Sequence, residues 1–245
     1  MKSLIVLPAF NENKNVVNLI DAILASDKNF FIVLVDDSSP DGTFSTAQNF
    51  KTSLDFKKSE RLHLISRARK DGRGSAVWAG FKWGLENKDH DFKCFVEMDC
   101  DFSHDPKDLK TGIELINDGH GAILASKYPD GQTIGWPFRR VVLSFLSNML
   151  CRLLIKWSVG DYTNGYRFYS KRTTEILLAS NMVHKGYINL SESIAILLKN
   201  NVQIASFPII FINRLEGESK TDFKELKSSL FAIFKISYRF WFQKN

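Results

Sequence analysis

Two aspartates one residue apart, in Glu97-Met98-Asp99-Cys100-Asp101, follow directly on an apolar run beginning at Cys94. Carboxylates at i and i+2, where a chain leaves the pleat of a strand, can reach one hard cation directly or through water. Mg²⁺ and Mn²⁺ take such oxygen ligands and share their shell with substrate phosphates. An acidic triplet alone is more often a solvated turn. Two features raise this one: the strand before it, and a second acidic pair, Asp36-Asp37, that ends another apolar run. Adjacent like charges at a strand end cost stability unless a ligand uses them. Base and ribose donors would suit Asp37. The following Ser39-Pro40-Asp41-Gly42 is turn chemistry, with Thr43 placed to begin a helix.

Positive charge that could meet a phosphate occurs in three places. Arg67-Ala68-Arg69-Lys70-Asp71-Gly72-Arg73-Gly74 is a basic glycine loop ahead of a helix-like segment, and helix-start amides attract phosphate. It is not a dinucleotide fingerprint, because Val77 stands at the third glycine position. Arg139 and Arg140 follow Gly135-Trp136-Pro137, and Arg214 and Lys220 lie in a polar loop, as further candidate diphosphate clamps. For any single one of these, a solvated surface charge is the commoner role. His63, His90, His104, His120 and His184 form no evident triad.

Such groups need a scaffold. Strand-like runs at Leu4–Leu7, Phe31–Val35, Leu62–Ile65, Cys94–Met98 and Ala122–Ala125 alternate with helix-like stretches around Val16–Ala25 and Ala76–Leu85. Alternation of this kind predicts a mostly parallel sheet with helices on both faces, an α/β fold whose ligands bind beyond the carboxyl ends of the strands. Both acidic clusters stand there. Further on, Val141–Trp157 reads as one amphipathic helix, Phe207–Ile212 as a strand, and Leu226–Phe242 as a helix with the aromatic and basic composition of a membrane interface.

Composition bounds the rest. The 245 residues are 44% hydrophobic, enough for one sizeable domain with an appendage and incompatible with a disordered chain. The net charge of +6 is unevenly spread. Residues 1–120 hold 16 Lys+Arg against 19 Asp+Glu, and residues 121–245 hold 17 against 8. A metal-using half followed by an anion- or membrane-facing half would have this balance. Nucleic acid ranks well below lipid or phosphate as a partner, for want of any zinc-finger spacing or arginine-rich tract. The three cysteines, with no CxxC pair, indicate a reduced, cytosol-facing protein. The N-terminal apolar run is too short for a signal peptide, and no stretch is long enough to span a bilayer. A peripheral protein is expected.

The ordered motifs Leu7-Pro8-Ala9-Phe10-Asn11-Glu12, Val35-Asp36-Asp37-Ser38-Ser39-Pro40-Asp41-Gly42-Thr43 and Glu97-Met98-Asp99-Cys100-Asp101-Phe102-Ser103-His104-Asp105-Pro106 resemble the family 2 inverting glycosyltransferases. Asp161…Arg167 and Arg214…Lys220 are similar to the polyprenyl-phosphate branch, which includes the dolichol-phosphate mannose synthases. The likeness spans roughly residues 3–222. It implies a GT-A, Rossmann-like catalytic domain over 1–222, with 223–245 as an amphipathic interfacial tail. It also implies metal-dependent transfer of a sugar from a nucleotide-sugar donor to a polyprenyl phosphate with inversion. The favoured donor is GDP-mannose and the rival is a UDP-sugar such as UDP-glucose.

By the same resemblance Pro8, Phe10, Glu12, Val35 and Asp37 hold the nucleotide, and Asp99, Cys100 and Asp101 hold the metal and diphosphate. Lys127, Arg140, Ser144, Arg214 and Lys220 surround the donor and acceptor phosphates. Asp101, Arg140 and Ser144 carry the chemistry, and the metal, Mg²⁺ or Mn²⁺, is ligated by Asp99, Asp101 and Ser103. The chain departs from the pattern at Ser103, where a longer Gln is common, at Lys127, where Arg is usual, and at Cys100, where Ala is usual. It lacks the C-terminal transmembrane pair of some members, and so is similar to the soluble-type synthases, some of which work with membrane-anchoring subunits. The expected location is the cytoplasmic side of a membrane. An aspartyl-phosphate phosphatase places its Asp-x-Asp on the first strand, not near residue 100, and a non-catalytic lipid-surface protein leaves the ordered carboxylates unexplained.

Overall fold

A computed structural model describes residues 1–180, 182–213 and 223–243. The chain order is β1 (Ser3–Ala9), α1 (Val16–Ser26), β2 (Phe30–Asp36), α2 (Thr43–Ser53), α3 (Phe56–Ser59), β3 (Leu62–Ser66), α4 (Arg73–Glu86), β4 (Cys94–Glu97), α5 (Asp108–Asn117), β5 (Ala122–Ser126), β6 (Gln132–Ile134), α6 (Phe138–Leu154), β7 (Arg167–Ser170), α7 (Lys171–Ala179), α8 (Asn189–Lys199), β8 (Ile204–Pro208), β9 (Ile210–Ile212) and α9 (Phe223–Phe242). The main sheet has seven strands in the order β3-β2-β1-β4-β7-β5-β8, and β6 and β9 form a separate parallel pair. Within the seven, only β7 runs antiparallel to its neighbours β4 and β5.

The central strands β1, β2 and β4 are buried almost throughout and apolar except at their ends, Ser3, Asp36 and Glu97, as strands covered on both faces tend to be. Alternate side chains sort them. Ile5, Leu7, Ile32 and Leu34 join the core beneath α1 and α5, with Leu19, Ile23, Leu109 and Ile113. Leu4, Val6, Phe31 and Val33 join the other core beneath α4, with Val77 and Phe81. Helix α4 lies unusually close to β1: a Cβ on Gly80 would fall 2.5 Å from Val6, and one on Gly84 2.3 Å from Leu4. Only glycine admits that approach, which brings the start of α4 to the ends of β1 and β4.

From β1 the chain winds through β2 to β3 on one side, then returns to lay β4 on the other. Beyond the carboxyl ends of β1 and β4 the strand order therefore reverses, and a crevice opens. Backbone there is bent hard. Asn11, Ser38 and Phe102, just past β1, β2 and β4, all have φ between 56° and 59°, a left-handed region that costs non-glycine residues energy and clusters at functional sites.

A third core joins α6, α8 and α9 through Cys151, Ile155, Ile194, Ile233 and Ile236. The segment read as an interfacial tail is thus anchored along one face of α9. No helix among the described residues is long and apolar enough to cross a membrane. Two expected elements differ. The helix read as 141–157 begins at Phe138 and ends at Leu154, short of Trp157. The strand read as 207–212 is two strands: β8 pairs with β5 and β9 pairs with β6, broken after Pro208, which has no N–H for a ladder.

Candidate active site

The crevice is lined by Pro8, Phe10 and Glu12 from the end of β1, Asp37 from β2, Asp99, Cys100 and Asp101 from β4, and Lys70, Gly72 and Arg73 from the loop entering α4. Gly186 and Tyr187 close it from the loop before α8. It encloses about 820 Å³ of atom-free space, part of it open to solvent.

The two acidic neighbours at the end of β2 have separate roles. Asp36 turns back to accept the amide hydrogen of Ser39 (3.0 Å) and its hydroxyl. Asp37 faces the cleft, where its Oδ2 accepts the amides of Asp71 (3.1 Å) and Gly72 (3.2 Å). Arg67 Nε lies 2.9 Å from Asp37 Oδ1 as an ion pair, yet that buried oxygen receives no hydrogen bond of good geometry. The ion pair compensates the charge on that buried oxygen. Burial raises the Asp37 carboxyl above its ordinary value, against the lowering pull of the Asp71 amide and Arg67.

The end of β4 is held from below. Arg73 donates to Asp99 Oδ1 (2.6 Å), to Glu97 Oε2 (2.8 Å) and to the carbonyl of Gly165 (2.9 Å). Glu97 is itself buried and also accepts from the Tyr169 hydroxyl (2.7 Å). Burial works against the Arg73 charge, but Asp99 and Glu97 outweigh it and keep its pKa above the usual value. His104, fully buried, accepts the Asp99 amide hydrogen at Nδ1 (3.1 Å) and meets Asn164 Oδ1 through Nε2 (3.0 Å). Those two bonds define a neutral imidazole with its proton on Nε2, and burial lowers its pKa in the same sense. Both ring nitrogens are committed, so His104 is a support and not a base.

Hard carboxylate oxygens at Asp99 and Asp101 suit Mg²⁺ or Mn²⁺, while the Cys100 thiol is buried and pushed well up in pKa by that burial, out of reach as a thiolate ligand. Among the described residues no group of three His, Cys, Asp or Glu side chains gathers around one point. An ion here would need oxygens from a bound diphosphate to fill its shell, which is how Mg²⁺ sites at substrate phosphates are built.

Several expected residues stand elsewhere. Val35 is fully buried in the core and does not line the crevice. Ser103 is buried and gives its amide hydrogen to Asp101 Oδ1 (3.0 Å). The amides at the α4 start, expected to be open to phosphate, are used within the protein: Gly74 and Ser75 donate to the Lys185 carbonyl, and Asp71 and Gly72 to Asp37. From that loop Lys70, Gly72 and Arg73 line the crevice.

Lys127, Arg140 and Ser144 belong to a second cluster. Lys127 is buried and pairs with Asp161 (3.0 Å), whose carboxyl also accepts the amides of Lys127, Thr163 and Asn164. Asp161 stays ionised, below the usual carboxylate range, through those contacts. The Arg140 guanidinium stacks 3.9 Å from the Trp136 ring and donates to Asn213 Oδ1 (3.0 Å). Lys127 Nζ lies 6.0 Å from the same ring, whose buried indole N–H meets no acceptor among the described residues. Ser144 is met by the Tyr128 hydroxyl at 3.4 Å. Arg214 and Lys220 lie outside the described residues.

The profile of glycosyl transferase family 2 matches residues 4–177. The chain belongs to that family. It is a glycosyltransferase with a GT-A-like fold. Polyprenol monophosphomannose synthase of Mycolicibacterium smegmatis is 31% identical over 233 residues, 95% of this chain and 85% of the relative. Undecaprenyl-phosphate mannosyltransferase of Micrococcus luteus is 33% identical over 229 residues, 90% of this chain and 87% of the relative. Among solved structures, glucosyl-3-phosphoglycerate synthase from Mycobacterium tuberculosis, in complex with Mn²⁺, uridine diphosphate and phosphoglyceric acid, superposes with a TM-score of 0.70. It covers all of this chain and 80% of its own, at 16% identity, a likeness of fold alone. A complex of that enzyme with Mg²⁺ and uridine diphosphate gives 0.67, covering 98% and 79%, also at 16% identity.

Proposed function

We propose that this glycosyltransferase moves mannose from GDP-mannose to a polyprenyl phosphate, inverting the anomeric carbon, with Mg²⁺ or Mn²⁺ bound at the donor diphosphate. The observation that carries the reading is the pairing of two unlike sites. One is the acidic crevice, where a buried Asp37 oxygen has an ion pair with Arg67 but no hydrogen bond among the described residues; the other is the Lys127–Trp136–Arg140 cluster, whose buried indole N–H meets no acceptor among the described residues. The names of the two mannosyltransferase relatives support the sugar and the lipid class.

In this reading Pro8, Phe10, Glu12 and Asp37 receive the nucleoside, and Lys70 and Arg73 add positive charge to the same walls. Asp99 and Asp101 would hold the metal, which as a Lewis acid offsets charge on the departing diphosphate. Lys127, Arg140, Ser144 and the Trp136 N–H receive the acceptor phosphate, joined by Arg214 and Lys220. A phosphate monoester is already largely dianionic at neutral pH. It needs orientation and charge compensation, not deprotonation, which agrees with a site whose one buried histidine is engaged at both nitrogens.

The acceptor's lipid chain would lie against the exposed apolar side chains of α6 and α9, on the cytoplasmic side of a membrane. Leu143, Leu146 and Leu153 on α6 and Phe231, Phe234 and Trp241 on α9 are all exposed. Arg152 and Lys235 supply basic charge on the same helices. Helix α9 would be the interfacial element.

Incubation with radiolabelled GDP-mannose, GDP-glucose, UDP-glucose and UDP-galactose, each with polyprenyl phosphate, followed by lipid extraction, tests donor and acceptor together. Label should enter lipid from GDP-mannose alone. Asp101→Asn should weaken Mn²⁺-dependent GDP binding by about 100-fold, the upper end of what metal-site partners contribute. Metal-independent GDP binding that survives this substitution sinks the metal assignment, and label entering lipid only from a UDP-sugar sinks the donor.

A further inference from the structure

Glu192, on α8, is a buried carboxylate outside both sites. It accepts the backbone amides of Val183 (3.1 Å) and His184 (2.9 Å), the His184 ring at Nδ1 (3.0 Å) and Arg239 Nη1 of α9 (2.8 Å). A charge taken out of water costs several kcal/mol unless such contacts compensate it. Here the compensating groups come from two other elements, so Glu192 ties the loop 182–188 to α9.

That loop then forms one wall of the crevice. The Lys185 carbonyl accepts the Gly74 amide at 2.7 Å and the Ser75 amide at 3.4 Å, two of the orphan donors at the start of α4. The Lys185 ammonium pairs with Asp71 (2.8 Å), whose own amide is held by Asp37. Gly72 must be glycine beneath it: its φ is 96°, and a Cβ there would lie 2.6 Å from the Lys185 carbonyl oxygen. Gly186 and Tyr187 follow as lining residues, with the Tyr187 ring 6.0 Å from the Arg73 guanidinium that holds Asp99.

We infer that Glu192 and Arg239 are positioning residues for the nucleotide crevice: together they seat the loop 182–188, and through it the Tyr187 wall and the α4 start that presents Arg73 to Asp99. What the crevice binds rests on the proposed function. The coupling itself rests only on the contacts above. Its consequence is that nucleotide affinity depends on a side chain of α9, a helix with no lining residue in the crevice among the described residues.

The test uses the full chain, Mn²⁺ and GDP, with UDP as a second probe, titrated calorimetrically into wild type, Glu192→Gln, Arg239→Gln and Arg239→Lys. Both glutamine variants should bind the nucleotide about ten-fold more weakly, the scale expected when a wall shifts by part of an ångström. Arg239→Lys should recover most of the loss. Donor KM should rise with kcat changed far less, and amide hydrogen exchange at residues 183–188 should quicken. Should Glu192→Gln fail to fold, Arg239→Gln decides alone, because Arg239 is one-third exposed. A folded Arg239→Gln variant with unchanged nucleotide affinity and unchanged protection at 183–188 overturns the inference. If wild type binds neither nucleotide, the proposed function fails instead, and the exchange measurement still tests the coupling.

Discussion

Arg73 shows how much of the site depends on a single side chain choosing its partners. Four cationic residues crowd the segment from Arg67 to Arg73, and their spacing does not say which one turns inward. In the structure Arg67 pairs with Asp37, Lys70 lies over the Phe10 ring, and Arg73 reaches Glu97 and Asp99. Removing the charge from Arg73 leaves Glu97 buried without its cation, a change that costs roughly 3–5 kcal/mol in such pairs. Arg73→Met should lower the urea unfolding free energy by about that amount. Arg73→Lys should fall between, since an ammonium restores charge but not the fork that serves two carboxylates. A methionine variant as stable as wild type by circular dichroism would show that the Arg73 contacts to Glu97 and Asp99 add nothing to folding. The carboxylates themselves were legible in the sequence, because each stands directly after an apolar run. Tyr187 and Gly186 were not, since a chain separation of nearly ninety residues from Asp99 hides their place in the same crevice.

Elements were legible where side-chain periodicity matches burial. Strands β1, β2, β4 and β5 carry unbroken apolar runs, and the turn at Pro40–Gly42 announces α2. Strand β7 was missed because it begins with Arg167, a residue type that reads as surface. Here Arg167 is fully buried and satisfied by the carbonyls of Tyr162, Asn164 and Leu190 and by the Ser193 hydroxyl. Helix α8 hides a similar exception in Glu192. Burial alone would raise this carboxyl, but the His184 ring and the amides of His184 and Val183 hold it below the usual range. Folding therefore favours the ionised form. That stabilisation is complete above the unfolded value of about 4.3 and disappears as pH falls through the lower folded value. Glu192→Gln, which cannot titrate, should melt below wild type at pH 7 and converge on it as pH drops from about 5 toward 3. Parallel melting curves across that window would mean that the Glu192 charge adds nothing to folding.

At the scale of the molecule, the acidic first half and basic second half map onto different structures. The first half supplies most of the crevice; the second supplies the Lys127–Arg140 cluster and the paired helices α6 and α9. Charge asymmetry made that division legible from composition, but not that α9 packs into a core through Ile233 and Ile236 while turning Phe231, Phe234, Tyr238 and Trp241 to solvent. A helix with one face in protein and an aromatic face outward, flanked by Lys235, fits a lipid interface. Burying a phenylalanine in an apolar phase contributes about 1.5–3 kcal/mol. Replacing both Phe231 and Phe234 with Glu should therefore reduce partitioning onto phosphatidylglycerol vesicles by about 100-fold or more in a flotation assay. Raised salt should weaken the wild-type association as well, because exposed lysines and arginines are screened over about 8 Å at physiological ionic strength. Neither phenylalanine lines the crevice or contacts Glu192, so GDP affinity in the double variant should match wild type. Unaltered flotation of that variant would remove α9 from the lipid face and leave α6 to carry it. Lost flotation with intact nucleotide binding would separate the membrane-facing role of α9 from the role of its Arg239 in seating the crevice loop.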